Sequence, residues 1–302
     1  MRNILSFLTS GLIALTVSTA GIASTPPAAT DLGPLTVETY VADAAGFLST
    51  STMISSDDEI MLIDAPFTRS EAHRLVAKIL KTGKPLTKVV ITHAHPDHYF
   101  GLEVIRRQYP DVEVYARAAI KSQMDTLGSE KLAAWKPVYG DDLTDTVPAA
   151  DQVLAGDLTF AGERIQVIDL APAEIESAVA FFLPRSRTLV AGDAVFDGVH
   201  PWLAETDKER RRAWIDNLDR LANLKPNLVI GGHIGQNATR DARAIQATKR
   251  YLQAFAAALA QTHNPAALKK MMLTGFGKLD LPVILDYSIQ AATGDAPADH
   301  SH

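Results

Sequence analysis

The run Thr92-His93-Ala94-His95-Pro96-Asp97-His98 sets three imidazoles and a carboxylate within six residues, and no other feature constrains the chain as strongly. It follows the apolar, β-branched run Val89-Val90-Ile91, so it reads as a buried strand ending in a loop rich in electron-pair donors. Crowding such side chains against a core is costly unless an ion takes up their lone pairs. His93 and His95 are two residues apart and can face one ion, whereas Asp97 and His98 fall at the start of the helical pattern that follows and can serve a neighbouring one. Neutral imidazole with carboxylate suits zinc, with iron or manganese as further occupants. A His-rich surface loop is the plain alternative, and partners elsewhere in the chain must decide between the two.

Such partners exist. Asp193, in Ala191-Gly192-Asp193, follows the apolar pair Leu189-Val190, and His233, in Ile230-Gly231-Gly232-His233, follows Leu228-Val229. His-x-His-x-Asp-His followed in this order by these two residues resembles the metallo-β-lactamase superfamily, over roughly residues 35 to 260. The resemblance implies an α/β fold of αββα sandwich type. It also implies two divalent metal ions, zinc first and iron or manganese as alternatives. Asp193 would bridge them, with Asp97, His98 and His233 at the second ion and His93 and His95 at the first. Asp64, after Ile60 to Ile63, resembles the family's buried aspartate that braces the metal loop by hydrogen bonds. A simple strand-ending Asp before Pro66 is its plain alternative.

One ligand departs from the family pattern. The family has a histidine about ten residues before the proline that closes the next strand. Counting back from Pro184 in Ala180-Phe181-Phe182-Leu183-Pro184 reaches Glu174, within Ala173-Glu174-Ile175-Glu176-Ser177, and no His lies between His98 and Asp193. Glu174 is therefore the expected third ligand of the first ion, Glu176 is the alternative, and a solvated acidic turn is the plain reading. An ionised Glu174 makes the site less positive, which predicts a weaker pull on an anionic β-lactam and weak or altered lactamase activity.

A chain of 302 residues with 47% hydrophobic content can bury a large core, and one two-layered domain over residues 33–290 accounts for it. Residues 1–24 carry Arg2, the apolar stretch Ile4 to Val17, and small residues that include Ser18-Thr19-Ala20 and Ala23-Ser24. They read as a signal peptide cleaved between about residues 20 and 25, with an uncleaved anchor as the alternative. The expected location is periplasmic or secreted, with no stable membrane association after cleavage. There is no Cys, so neither a lipid-modified thiol nor a disulfide is available. Loss of the leader removes Arg2 and no acidic residue, taking the formal charge from −6 to −7. With its charges interspersed, such a chain is not expected to bind nucleic acid. The polar residues 291–302 read as a flexible tail, in which His300 and His302 could bind metal only adventitiously.

Periodicity predicts a meander of strands Leu35 to Val41, Phe47 to Ile54 and Glu59 to Ile63, with Ser56-Asp57-Asp58 as a turn. Thr68 and Glu71 form a capping box for a helix whose apolar stripe is Ala72, Leu75, Val76, Ile79 and Leu80, ended by Gly83 and Pro85. His73 lies off that stripe and reads as a surface residue. Further strands are expected near 151–154, 157–161, 163–170, 178–183, 187–191 and 228–230, with helices from Lys208 to Leu224 and from Thr239 to Gln261.

The family resemblance implies a hydrolase in which a metal-bound hydroxide attacks a cyclic amide or ester carbonyl of a small molecule. Lactonases and other ester or phosphodiester hydrolases share the motif; an iron-containing oxidoreductase and a non-catalytic metal-binding protein are alternatives of other classes. A nucleophilic serine is not expected, since the chain has no Gly-x-Ser-x-Gly elbow. Phe47 and Phe67 fit either the apolar walls of a substrate pocket or ordinary core. His200 and Trp202 follow Asp193, and the family resemblance implies a place for them near the pocket mouth; His200 fits a substrate donor, a substitute metal ligand or a structural histidine, and Trp202 fits recognition or packing. Oligomeric state is left open.

Overall fold

A computed structural model describes residues 30, 31 and 35–294. Short strand β1 (Thr30–Asp31) pairs with β2 (Thr36–Val41), which runs antiparallel to β3 (Thr50–Ser55); β3 turns back into β4 (Ile60–Ile63). The expected meander is present, its turn held by Ser56 Oγ, which accepts from the amides of Asp58 and Glu59. β3 begins at Thr50 rather than Phe47. A 3-10 turn at Ala44–Gly46, capped by Asp43, leaves Phe47 and Leu48 with φ of 60° and 55°, which no strand admits.

Thr68 caps helix α1 (Arg69–Leu80) by accepting from Glu71 N at 3.3 Å. The predicted capping box is only half formed, because the buried Glu71 carboxylate is engaged by Tyr40 and Arg74. Ala72, Leu75, Val76 and Ile79 are buried as expected and His73 is exposed, but Leu80, at the last turn, is also exposed. Three parallel pairings then extend the sheet through β5 (Leu86–Val90), β6 (Glu113–Ala116) and β7 (Gln152–Val153). The connections carry α2 (Leu102–Gln108), the helical pattern expected after His98, and the long α3 (Ala118–Tyr139), which periodicity does not announce. On α3 only Ile120, Met124 and Gly128 are buried, so the helix shows almost no stripe.

A second, five-stranded sheet has the order β12-β11-β10-β9-β8, made from β8 (Leu158–Phe160), β9 (Glu163–Leu170), β10 (Ala178–Leu183), β11 (Thr188–Asp197) and β12 (Leu228–Ile234). Helix α4 (Lys208–Asn223) makes the crossover between parallel β11 and β12; α5 (Ala242–Gln261), α6 (Pro265–Phe276) and α7 (Pro282–Thr293) follow. β11 and β12 extend beyond the expected ends at 191 and 230, so Asp193 and His233 lie inside strands. Helix α5 starts at Ala242 rather than Thr239, since Asp241 supplies its cap. The predicted tail is helical as far as Thr293; its remainder after residue 294, like the predicted leader, lies outside the described residues.

Alternation along β10 creates the layers. Val179, Phe181 and Leu183 enter the core shared with the first sheet, whereas Ala180 and Phe182 join Trp214 of α4 and Phe255 of α5 on the opposite face. The result is the expected αββα sandwich. Among the described residues no helix is long and apolar enough to cross a membrane.

Candidate metal centre

The two sheets are stitched together along one edge. Val179 N donates to Thr92 O at 2.9 Å, Ile234 N to Leu48 O at 3.1 Å, and Thr50 Oγ1 to Gly231 O at 2.8 Å. These bonds bring the end of β5, the loop before β10, and strands β11 and β12 to one place. His93 and His95 leave β5, a 3-10 turn at Pro96–His98 presents Asp97 and His98, and Glu174 stands in the loop before β10. In β11 the pairing with β12 shifts register around Gly192, and this bulge aims Asp193 across β12. Gly232 makes room for it: a Cβ there would lie 1.8 Å from Asp193 Oδ1.

Donor atoms of His93, His95, Glu174 and Asp193 all lie within 4.8 Å of one another, and so do those of Asp97, His98 and His233. Asp193 spans both groups, 3.5 Å from His93 Nε2, 3.1 Å from His98 Nε2 and 3.3 Å from His233 Nε2. Glu174 Oε1 is 3.1 Å from His95 Nδ1 without the alignment of a hydrogen bond. Both Glu174 oxygens, Asp193 Oδ1, and the Nε2 atoms of His93 and His98 are buried without a hydrogen-bond partner. Each such orphan costs about 1–3 kcal/mol, and a divalent cation in their midst would satisfy them together. The nitrogen and oxygen donors fit zinc, iron or manganese. Glu176 points elsewhere, exposed and paired with Arg210, so Glu174 is the carboxylate that the fold brings to the cluster.

The imidazoles are held from behind. Asp64, at φ 62°, accepts from Thr92 N and Thr92 Oγ1, each at 2.7 Å, and lies 3.0 Å from His98 Nδ1. Its oxygens are thereby committed to bracing. Thr92 Oγ1 is 2.9 Å from His93 Nδ1, and Phe47 O is 2.7 Å from His233 Nδ1, which leaves Nε2 of both rings to face the cluster. His95 is turned the other way: Nδ1 faces Glu174 and Asp193, while Nε2 is 3.5 Å from Glu205.

Burial opposes charge on His95, but Glu174 and Glu205 outweigh it and raise its pKa well above the ordinary value. For His98 and His233 burial is likewise overcome, chiefly by Asp193 and then Asp97. Burial pushes the Asp193 pKa upward, yet His233, His98 and His93 bring it well below the usual range. Glu174 moves up, mainly through burial. These directions describe a buried set of donors that demands positive charge.

A cleft opens onto the cluster. Phe47 and Phe67 both line it, with ring centroids 5.6 Å apart, and Trp135 closes the wall 5.5 Å from Phe47. They also pack against the core, so wall and core are the same residues here. His200 and Trp202 line the other side; His200 Nδ1 is 2.9 Å from Tyr251 Oη, and Trp202 packs on Tyr287. His200 belongs to neither donor group, so it does not stand in for the missing imidazole. Lys131, Trp135 and Glu205 also line the cleft and were not singled out by sequence reasoning. Two sit on the stripeless α3 and the third on a loop, where only tertiary contact gives them meaning.

Comparison with known proteins agrees with this geometry. Residues 44–233 match the family model of the metallo-β-lactamase superfamily. The uncharacterized protein YobT of Bacillus subtilis is 26% identical over 219 residues, which cover 66% of this chain and 89% of that protein. A protein of Streptococcus pyogenes, named a probable metallo-hydrolase, is 32% identical over 153 residues; these span 47% of this chain and 59% of that relative's length. Among solved structures, a metallo-β-lactamase family protein from Thermus thermophilus superposes with a TM-score of 0.61 at 20% identity, covering 86% of this chain and 91% of that one. Motif, sandwich and family model coincide on the same edge of the sheets: the chain belongs to the metallo-β-lactamase superfamily.

Proposed function

We propose that this chain is an exported hydrolase that holds two divalent metal ions, zinc first, and cleaves a cyclic amide or ester of a small molecule. The observation that carries the reading is the set of partnerless buried donors on Glu174, Asp193, His93 and His98, beside an aromatic-walled cleft that His95, Asp97, Asp193 and His233 of the same cluster line. The first ion would be held by His93, His95 and Glu174, the second by Asp97, His98 and His233, with Asp193 shared. Metal ions there supply Lewis-acid activation of water and polarisation of the scissile carbonyl.

The chain's own residues do the rest. Phe47, Phe67 and Trp135 offer an apolar bed for the body of the substrate. Asp97 is half-buried at the cleft with Oδ2 turned toward the cluster, 3.4 Å from His233 Nε2, so its other carboxylate oxygen can orient the attacking water and carry its proton. The water oxygen bonds to the carbonyl carbon, the ring C–N or C–O bond breaks, and the proton ends on the leaving atom. The apolar run within residues 1–24 supports export.

Metal analysis of protein purified without added metal, followed by lactam, lactone and phosphodiester assays before and after chelation, tests the proposal. Two zinc equivalents and chelator-sensitive lactam or lactone cleavage are expected. At most one bound ion removes the dinuclear assignment, and full activity after chelation removes the metal mechanism. An iron-loaded protein that consumes oxygen identifies the oxidoreductase instead.

A further inference from the structure

Lys131 of α3 and Glu205, on the loop between β11 and α4, meet inside the cleft with Nζ and Oε1 2.6 Å apart. Their side chains are only 20% and 15% exposed. Glu205 is also 3.5 Å from His95 Nε2, so it is clamped between an ammonium and an imidazole whose other nitrogen faces the metal cluster.

Among the described residues Lys131 is the one lysine or arginine lining the cleft, and its charge is already taken up by Glu205. The carboxylates of Asp97, Glu174 and Asp193 offset most of the charge that divalent ions would bring. What is left to meet the body of a substrate is largely apolar, with Phe47, Phe67, Trp135, Trp202, Leu281 and Ile284 as walls. A substrate carboxylate entering this cleft would lose water without gaining a free cation.

Resting on the hydrolase reading above, we propose that the Lys131–Glu205 pair makes the cleft select uncharged cyclic amides and esters with an aromatic or alkyl body over substrates carrying a carboxylate. Specificity of this kind arises from withholding a partner as much as from offering one. Glu205 has two consequences at once: it sets a carboxylate beside Nε2 of His95 and cancels the lysine that could otherwise anchor an anion.

Benzylpenicillin and its methyl ester share one scissile ring amide and differ by one charge, so they form the test pair. The zinc-loaded full chain should show kcat/KM at least about tenfold higher for the methyl ester. Glu205→Gln frees Lys131 and should bring the ratio down toward one; Lys131→Met leaves Glu205 uncompensated and should raise it. Because each ratio is taken on one preparation, partial metal loss in a variant cancels, and zinc content is measured alongside. Equal or preferential turnover of benzylpenicillin by the unaltered chain overturns the proposal, as does a ratio indifferent to Glu205→Gln. If neither compound is cleaved, the hydrolase reading fails for this ring, and calorimetric titration of both into the zinc-loaded protein decides the selectivity separately. Tighter binding of the methyl ester sustains it; equal, reversed or absent binding overturns it.

Discussion

At the scale of single residues, Glu174 is the point where this chain departs from its family, and its placement makes a sharp prediction. It is 3% exposed, beside His95, with both oxygens lacking hydrogen-bond partners, whereas Glu176 two residues on is exposed. Glu174→Ala should weaken binding of the first ion by more than about 100-fold, measured by chelator competition. Glu176→Ala should leave metal content unchanged. Glu174→His should tilt the site toward zinc over manganese, since imidazole is the softer ligand. Loss of metal from the Glu176 variant alone would reverse the assignment.

His200 gives a second residue-scale prediction that does not involve the metal. Burial lowers its pKa from 6.5 to about 4, against the upward pull of Asp286 and Asp280, and Nδ1 is tied to Tyr251. A base whose folded pKa lies below its unfolded value contributes fully above pH 6.5, and that contribution is lost as pH falls toward about 4. Unfolding midpoints of the native chain should therefore drop more steeply across this window than those of His200→Gln. Parallel profiles for the two proteins would contradict the neutral, buried state of this imidazole.

At the scale of elements, the site depends on how β11 and β12 lie side by side. The bulge around Gly192 and the missing side chain at Gly232 let Asp193 pass over the neighbouring strand to reach three imidazoles. In Gly232→Ala the new methyl group meets Asp193 Oδ1 well inside contact distance, so the carboxylate or the strand must shift. The expected outcome is loss of bound metal and of activity by at least about 100-fold, with a folded circular-dichroism spectrum. Retention of two tightly bound ions would show that β12 yields easily. The same scale explains which helices escaped notice. α1 and α5 bury a continuous stripe, whereas α3 spans 22 residues and buries three of them, serving instead to carry Lys131 and Trp135 to the cleft.

At the scale of the whole molecule, metal binding and folding are linked. Donors from both sheets converge on one edge, so an ion ties the halves of the sandwich together and binds the folded chain alone. At a hundredfold excess over its dissociation constant an ion contributes about 2.7 kcal/mol, which for a domain of this size raises the melting temperature by about 5–10 °C. Calorimetry with and without chelator checks this; identical melting curves would mean that the cluster binds no metal in solution.

By itself the sequence determined the donor-rich loop after β5 and the amphipathic helices. Those signals are local, because a strand end or a buried stripe needs only nearby residues to be recognised. Asp193, His233 and the departure at Glu174 were legible only against the family pattern, and the tertiary structure brings Glu174 rather than Glu176 to the cluster, because the loop before β10 turns the two in different directions. Tertiary structure alone also assigned Glu205 and Lys131, separated by 74 positions and joined by one ion pair. It alone started β3 at Thr50 and carried β11 through Asp193, because a bulge and a left-handed turn are settled by the strands that pack against them. Chemistry concentrated in one loop can be read from residue order, whereas chemistry shared between distant segments exists only once the two sheets close.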